Sequence, residues 1–155
     1  MPPARMPNID RETERQLAAG LYNEVWRFME MPHRRPEQDD EMLHAAHASR
    51  YHWGRVGEPV KQARGEWLCA RVYSVLGRGE PAVWHAQRCL DVLTEFGGGE
   101  DWDIASACEG LARAYAAAGD HESSRAWLEK GREALAQIAD KDDRDQIQGD
   151  LDSVR

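Results

Sequence analysis

The residues best placed to do chemistry lie between Asp40 and Trp53. On a helix turning 100° per residue, Asp40, His44, His47 and Tyr51 fall within about 60° of one another. Two imidazoles at i and i+3, with a carboxylate one turn earlier, can present lone pairs to one divalent cation. His85 and Cys89, one turn apart later in the chain, would add ligands if the two helices faced each other, and Glu41, Glu66 and Glu109 are further candidates. The competing reading is that these are hydrogen-bonded, half-buried histidines on an acidic helix. No H-E-x-x-H, no pair of E-x-x-H motifs and no Cys-x-x-Cys spacing accompanies them. Asp40, His44, His47 and His85 therefore define an alternative reading, a helical metal-binding protein or metalloenzyme. The preferred reading needs no cofactor and no catalytic residue.

Guanidinium groups form the second set. Seventeen of the twenty basic residues are arginine, which suits bidentate recognition of carboxylates and phosphates, although a GC-rich bacterial genome produces the same bias. Arg71 and Arg113 stand out because they recur at one place in an internal repeat: Ala70 to Glu80 and Ala112 to Glu122 share A-R-x-Y-x-x-x-G-x-x-E, forty-two residues apart. No nucleophile elbow, phosphate loop or dinucleotide fingerprint is present. Gly97-Gly98-Gly99 lacks the following lysine and the preceding strand that phosphate binding would require.

Stepping through the apolar spacing gives the elements that must position these groups. Asn8 or Asp10 caps a first helix carrying Leu17, Leu21, Val25 and Phe28, which ends near Met31-Pro32. Pro36, followed by acids, opens a second helix running to about Arg55. Pro59 opens a third, to Gly77; Pro81 a fourth, to the glycine run; Asp101 or Asp103 a fifth, to Gly119. The sixth runs from Asp120 to about Ala139 with Ile138 on its stripe, and the acidic tail either adds a seventh helix carrying Ile147 and Leu151 or frays. The expected organisation is a disordered leader over 1–9, hairpins over 10–57, 58–99 and 100–139, and an acidic capping helix or tail over 140–155.

With Ala70, Tyr73 and Gly77 repeated as Ala112, Tyr115 and Gly119, the chain resembles the tetratricopeptide repeat over roughly residues 58–139. The family's first helix carries a small residue three before an aromatic and a glycine four after it. Ala82 matches the small position of the second helix, and Ser124 matches it less well. The period exceeds the usual thirty-four, as in longer-period members, and the closing proline is missing. The resemblance implies an all-α fold of antiparallel helical hairpins stacked as a short right-handed solenoid of six to seven helices. It also implies a concave groove lined by first helices, on which Arg64, Trp67, Arg71, Ser74, Ser106, Glu109 and Arg113 would lie. Two arginines one repeat apart could grip an acidic peptide, with Trp67 as apolar anchor. Alternatively each pairs with an acid nearby on its own helix, such as Glu109 with Arg113 at i,i+4. The Lys/Asn clamp of chaperone-binding members is not matched.

Bulk properties agree with this class. A chain of 155 residues makes one domain, alanine is abundant and β-branched residues are scarce. The net charge of −8 leaves no basic stripe for nucleic acid. Cys69, Cys89 and Cys108 have no metal spacing and read as reduced core residues. The N-terminus lacks an apolar targeting core, and nowhere do eighteen apolar residues run together, so no membrane span is expected. The six tryptophans are spread one per helix or loop, as core or inter-hairpin packing would place them. The expectation is a cytoplasmic interaction module that binds a protein or acidic peptide in its groove, with self-association through exposed aromatics a further expectation.

Overall fold

Most turns in the chain are made at glycine or proline, where the sequence weakens a helix. The computed structural model describes residues 1–155. It contains seven α-helices and no strand: α1 (Arg11–Met29), α2 (Pro36–Val56), α3 (Pro59–Val75), α4 (Gly79–Phe96), α5 (Asp103–Ala117), α6 (His121–Ala134) and α7 (Lys141–Asp152), with a 3-10 turn at Leu135–Gln137. Residues 1–10 carry no regular secondary structure. Asp10, Asp120 and Asp140 each accept a hydrogen bond from the backbone N–H three residues on, capping α1, α6 and α7.

The repeated motif ends its two helices in the same way. Gly77 and Gly119 adopt φ of 73° and 82°, a region open to glycine at little steric cost. The following N–H groups, of Arg78 and Asp120, then donate back to the carbonyls of Tyr73 and Tyr115 at 2.9 Å in each case. This is the six-to-one closure that satisfies a helix's last carbonyls. Ala70, Ala82 and Ala112 are all fully buried, as their small side chains in a close helix contact require.

Successive helices pack as antiparallel neighbours: α1 against α2, α2 against α3, α3 against α4, α4 against α5 and α5 against α6, with α3 also touching α5. The end of α1 meets the start of α2 through Phe28, Met42 and Ala45, while Ala18 meets Trp53 and Val56 at the other end. Between these apolar contacts run buried carboxylates. Glu14 of α1 pairs with His52 and Arg55 of α2, and Glu66 of α3 pairs with Arg50 of α2 and His85 of α4. A one-residue slip would strand such a charge away from water, so these pairs fix the register of the seams.

Two boundaries differ from the sequence reading, and one alternative it left open is decided. α4 begins at Gly79, two residues before Pro81, because a proline in the first turn has no N–H that the helix would use. α6 stops at Ala134, so Ile138 is not part of its stripe; it is buried in the connection, packed with Ala105, Ile147 and Leu151. The acidic tail is helical rather than frayed, because Ile147 and Leu151 dock in that cluster. No helix is long and apolar enough to cross a membrane.

Candidate functional site

Side chains from the odd-numbered helices converge on one cavity of about 420 Å³. Tyr22 and Trp26 come from α1, Arg64, Trp67 and Arg71 from α3, Ser106 from α5 and Asp150 from α7, with Trp102 at the entry to α5. A second hollow of about 300 Å³ shares Tyr22, Arg64 and Trp102 and extends the groove to Trp53 and Lys61. Both volumes together match a site for a side-chain cluster or small ligand.

The floor is an aromatic and cationic lattice. The rings of Trp26 and Trp67 stack with centroids 6.2 Å apart. Trp67 lies against Gly110, where a Cβ would stand 3.0 Å from its Cδ1, and its Nε1–H donates to the Ser106 carbonyl and to Glu109 Oε2, both at 3.2 Å. Arg64 forms a two-bond fork with Asp103 at 3.0 and 2.9 Å while lying 4.5 Å over Trp102. Beneath them Glu109, 1 % exposed, takes 2.6 Å and 3.2 Å bonds from Arg113 and Arg71. Burial pushes the Glu109 carboxyl up against the pull of both guanidiniums, and burial likewise opposes the charge of Arg71.

The seven groove residues of the sequence reading are thus partly separated, Ser106 staying on the main cavity. Arg64, Trp67 and Arg71 line the main cavity; Glu109 lies under it, and Ser74 and Arg113 line a different hollow of about 260 Å³. The C-terminal turn of α7 stands between the two, since Asp150 lines the first and Ser153 the second. Arg113 ties that turn down through bonds to the Asp150 carbonyl at 3.1 Å and Ser153 Oγ at 2.7 Å. Arg71 and Arg113 do meet on one carboxylate, but it is the protein's own Glu109. The alternative pairing of Glu109 with Arg113 at i,i+4 is the one present.

Sequence reasoning missed Tyr22, Trp26 and Trp102 as cavity walls and gave α7 no part in the site. The six tryptophans divide: Trp53 is buried, Trp84 is 66 % exposed, Trp127 is half-buried against the Leu111 cluster, and Trp26, Trp67 and Trp102 line the groove. Their even spread along the chain carried no hint of this convergence.

The histidines assemble differently from the proposed stripe. His44 lines a shallow hollow against Leu21 and Phe28 of α1, and Asp40 is exposed. His47 turns the other way, donating to or accepting from Tyr73 Oη at 2.8 Å through Nε2, with its ring 5.2 Å from that of His85. His85 Nδ1 meets Glu66 Oε2 at 2.6 Å, and Arg50 Nε meets the other oxygen at 2.7 Å. Burial would raise Glu66, but these two hydrogen bonds outweigh it and hold the carboxyl below its ordinary value; burial, reinforced by His85, lowers His47. His47 and His85 meet, as facing helices would allow, but Asp40 and His44 are exposed elsewhere, and no group of three His, Cys, Asp or Glu side chains is placed to hold one ion. No cavity opens onto the His47–His85 pair. Neighbouring Cys69 is fully buried with its thiol pushed up to about 12, which removes it as a nucleophile at neutral pH.

Comparison with protein-family models gives no match for this chain, and comparison with curated proteins gives none. The functional reading therefore starts from the geometry of the groove.

Proposed function

We propose that the face shared by α1, α3, α5 and α7 is a binding groove for a peptide segment of a partner protein, and that the fold is a short tetratricopeptide-like stack of hairpins. The observation that carries this reading is the convergence of Tyr22, Trp26, Trp67 and Trp102, from separate stretches of chain, on one open cavity beside Arg64 and Arg71. Aromatic rings and arginines are the residue types that dominate binding energy at protein interfaces. Isolated core tryptophans would have been covered by neighbouring helices; these are left lining space. The matching ends of α3 and α5 support the repeat relationship. Three unpaired, buried cysteines support a reducing, cytoplasmic setting.

Random peptides of about twelve residues, displayed on phage and selected on the full chain, supply a direct test. Selected peptides are expected to lose affinity by about tenfold or more when the groove is filled by Ser106→Trp or Gln146→Trp. Gln146 is exposed, so its variant keeps the core intact, and an unchanged melting curve would verify that. Full affinity in both variants would reject the groove.

A further inference from the structure

Of Arg64, Arg71 and Arg113, Arg71 has the most donors left free. A guanidinium carries five N–H groups. Arg64 commits a two-bond fork to Asp103, and Arg113 makes three bonds, to Glu109, the Asp150 carbonyl and Ser153. Arg71 makes one, at 3.2 Å, to Glu109 Oε1, and that same oxygen already accepts the shorter bond from Arg113. Asp150 lines the same cavity but forms no ion pair with Arg71. The side chain is 18 % exposed and lines the cavity, and Arg71 has no nitrogen that is both buried and unpartnered, so its remaining donors are open to the cavity with no protein acceptor. Those donors are free to take the oxygens of a second anion entering the cavity.

The surroundings also say what the counterion is attached to. The indoles of Trp26 and Trp67 lie 5.9 and 5.8 Å from the Arg71 guanidinium carbon and put aromatic surface on the same cavity wall. A planar side chain can stack there while a neighbouring carboxylate takes the guanidinium fork, which is planar and matches two oxygens at once.

Building on the groove reading above, the geometry points to Arg71 as the receptor for a carboxylate on the bound peptide, an Asp or Glu set beside an aromatic side chain that lies against Trp26 and Trp67. Arg64 is held by Asp103, and Asp150 on another part of the wall repels a carboxylate, so the peptide's acid is placed on the Arg71 side, where a positive charge would be repelled.

The test uses the phage-selected peptides and the full-length protein. The expected result is that they carry Asp or Glu next to or near Phe, Tyr or Trp, and that Glu→Gln or Asp→Asn in the peptide weakens binding by about tenfold or more. On an Arg71→Gln protein the same peptide change should matter less than about twofold, because the partner charge is already gone. Arg71→Lys keeps the charge without the fork and should fall between them. The peptide substitutions need no protein variant, so they decide the matter even if Arg71→Gln folds poorly. Peptides that need no acid, yet still lose binding with Ser106→Trp, would overturn the assignment of Arg71 while leaving the groove intact. Insensitivity to Ser106→Trp would instead remove the groove itself. Displacement by phenylacetate as effective as by the unlabelled peptide would replace the peptide with a free aromatic acid and overturn the proposal as stated.

Discussion

Glu109→Ala is expected to lower the unfolding free energy by about 3–5 kcal/mol, the usual loss when one partner is removed from a buried ion pair. The carboxylate is 1 % exposed and is shared by Arg113 and Arg71, so its loss leaves two guanidiniums facing each other with no acid between them. Trp67 loses one of its two acceptors at the same time, and α7 is loosened because Arg113 is the residue that holds the Asp150 carbonyl and Ser153. For a domain of this size about 4 kcal/mol corresponds to a fall of roughly 10 °C in melting temperature, read by circular dichroism. The cause can be separated from simple cavity formation. If stranded charge is responsible, Glu109→Leu combined with Arg113→Met and Arg71→Met should recover much of the loss, since an apolar replacement of a whole buried network is often neutral or better. A loss below about 1 kcal/mol for Glu109→Ala would show that the three groups reach water more easily than their burial indicates.

Gly79→Ala carries the second large effect, for a reason of shape rather than charge. A Cβ at Gly79 would stand 2.3 Å from Ala118 Cα and 2.6 Å from its backbone nitrogen. Backbone cannot swing aside as a side-chain tip can, so the start of α4 must separate from the end of α5. That seam joins two hairpins, and Ala70, Ala82, Ala86, Leu111 and Ala114 form the closely packed cluster beside it. The expected cost is about 2–3 kcal/mol, at the upper end for overpacking, again measured as a fall in the denaturant midpoint. Alanine is normally the better helix former, so propensity alone predicts the opposite sign for this substitution. A neutral or stabilising result would mean that the hairpins are not held at the close approach shown here.

The parts of the fold that were legible in the sequence are those fixed by local chemistry. Glycines at 77 and 119 end helices because few other residues adopt a positive φ there without strain, and Asp10 caps because its carboxylate reaches the free amide of Thr13. The matching ends of α3 and α5 followed from residues that recur at a fixed interval. What was not legible depends on which neighbour covers a face. Periodicity places His44 and His47 on one stripe, yet α1 takes one and the α3–α4 side takes the other, because a stripe of that width spans two packing partners. In the same way α7 offers few apolar residues, and nothing local says that Leu151 finds the space left by the missing side chain of Gly131, where a Cβ would lie 2.7 Å from Leu151 Cδ2. The lining of the candidate groove was half visible: Arg64, Trp67 and Arg71 come from one helix and could be read together, whereas Tyr22, Trp26 and Trp102 enter through the fold alone.

The tryptophans that hid the groove in the sequence also report on it. Each of the six indole N–H groups gives its own resonance in ¹⁵N-labelled protein. If the inner face is where a peptide binds, titration with a selected peptide shifts the signals of Trp26, Trp67 and Trp102 and leaves exposed Trp84 and the α6 residue Trp127 where they were. Shifts confined to Trp84 or Trp127, with the three groove indoles unmoved, would place binding elsewhere on the molecule and contradict the claim.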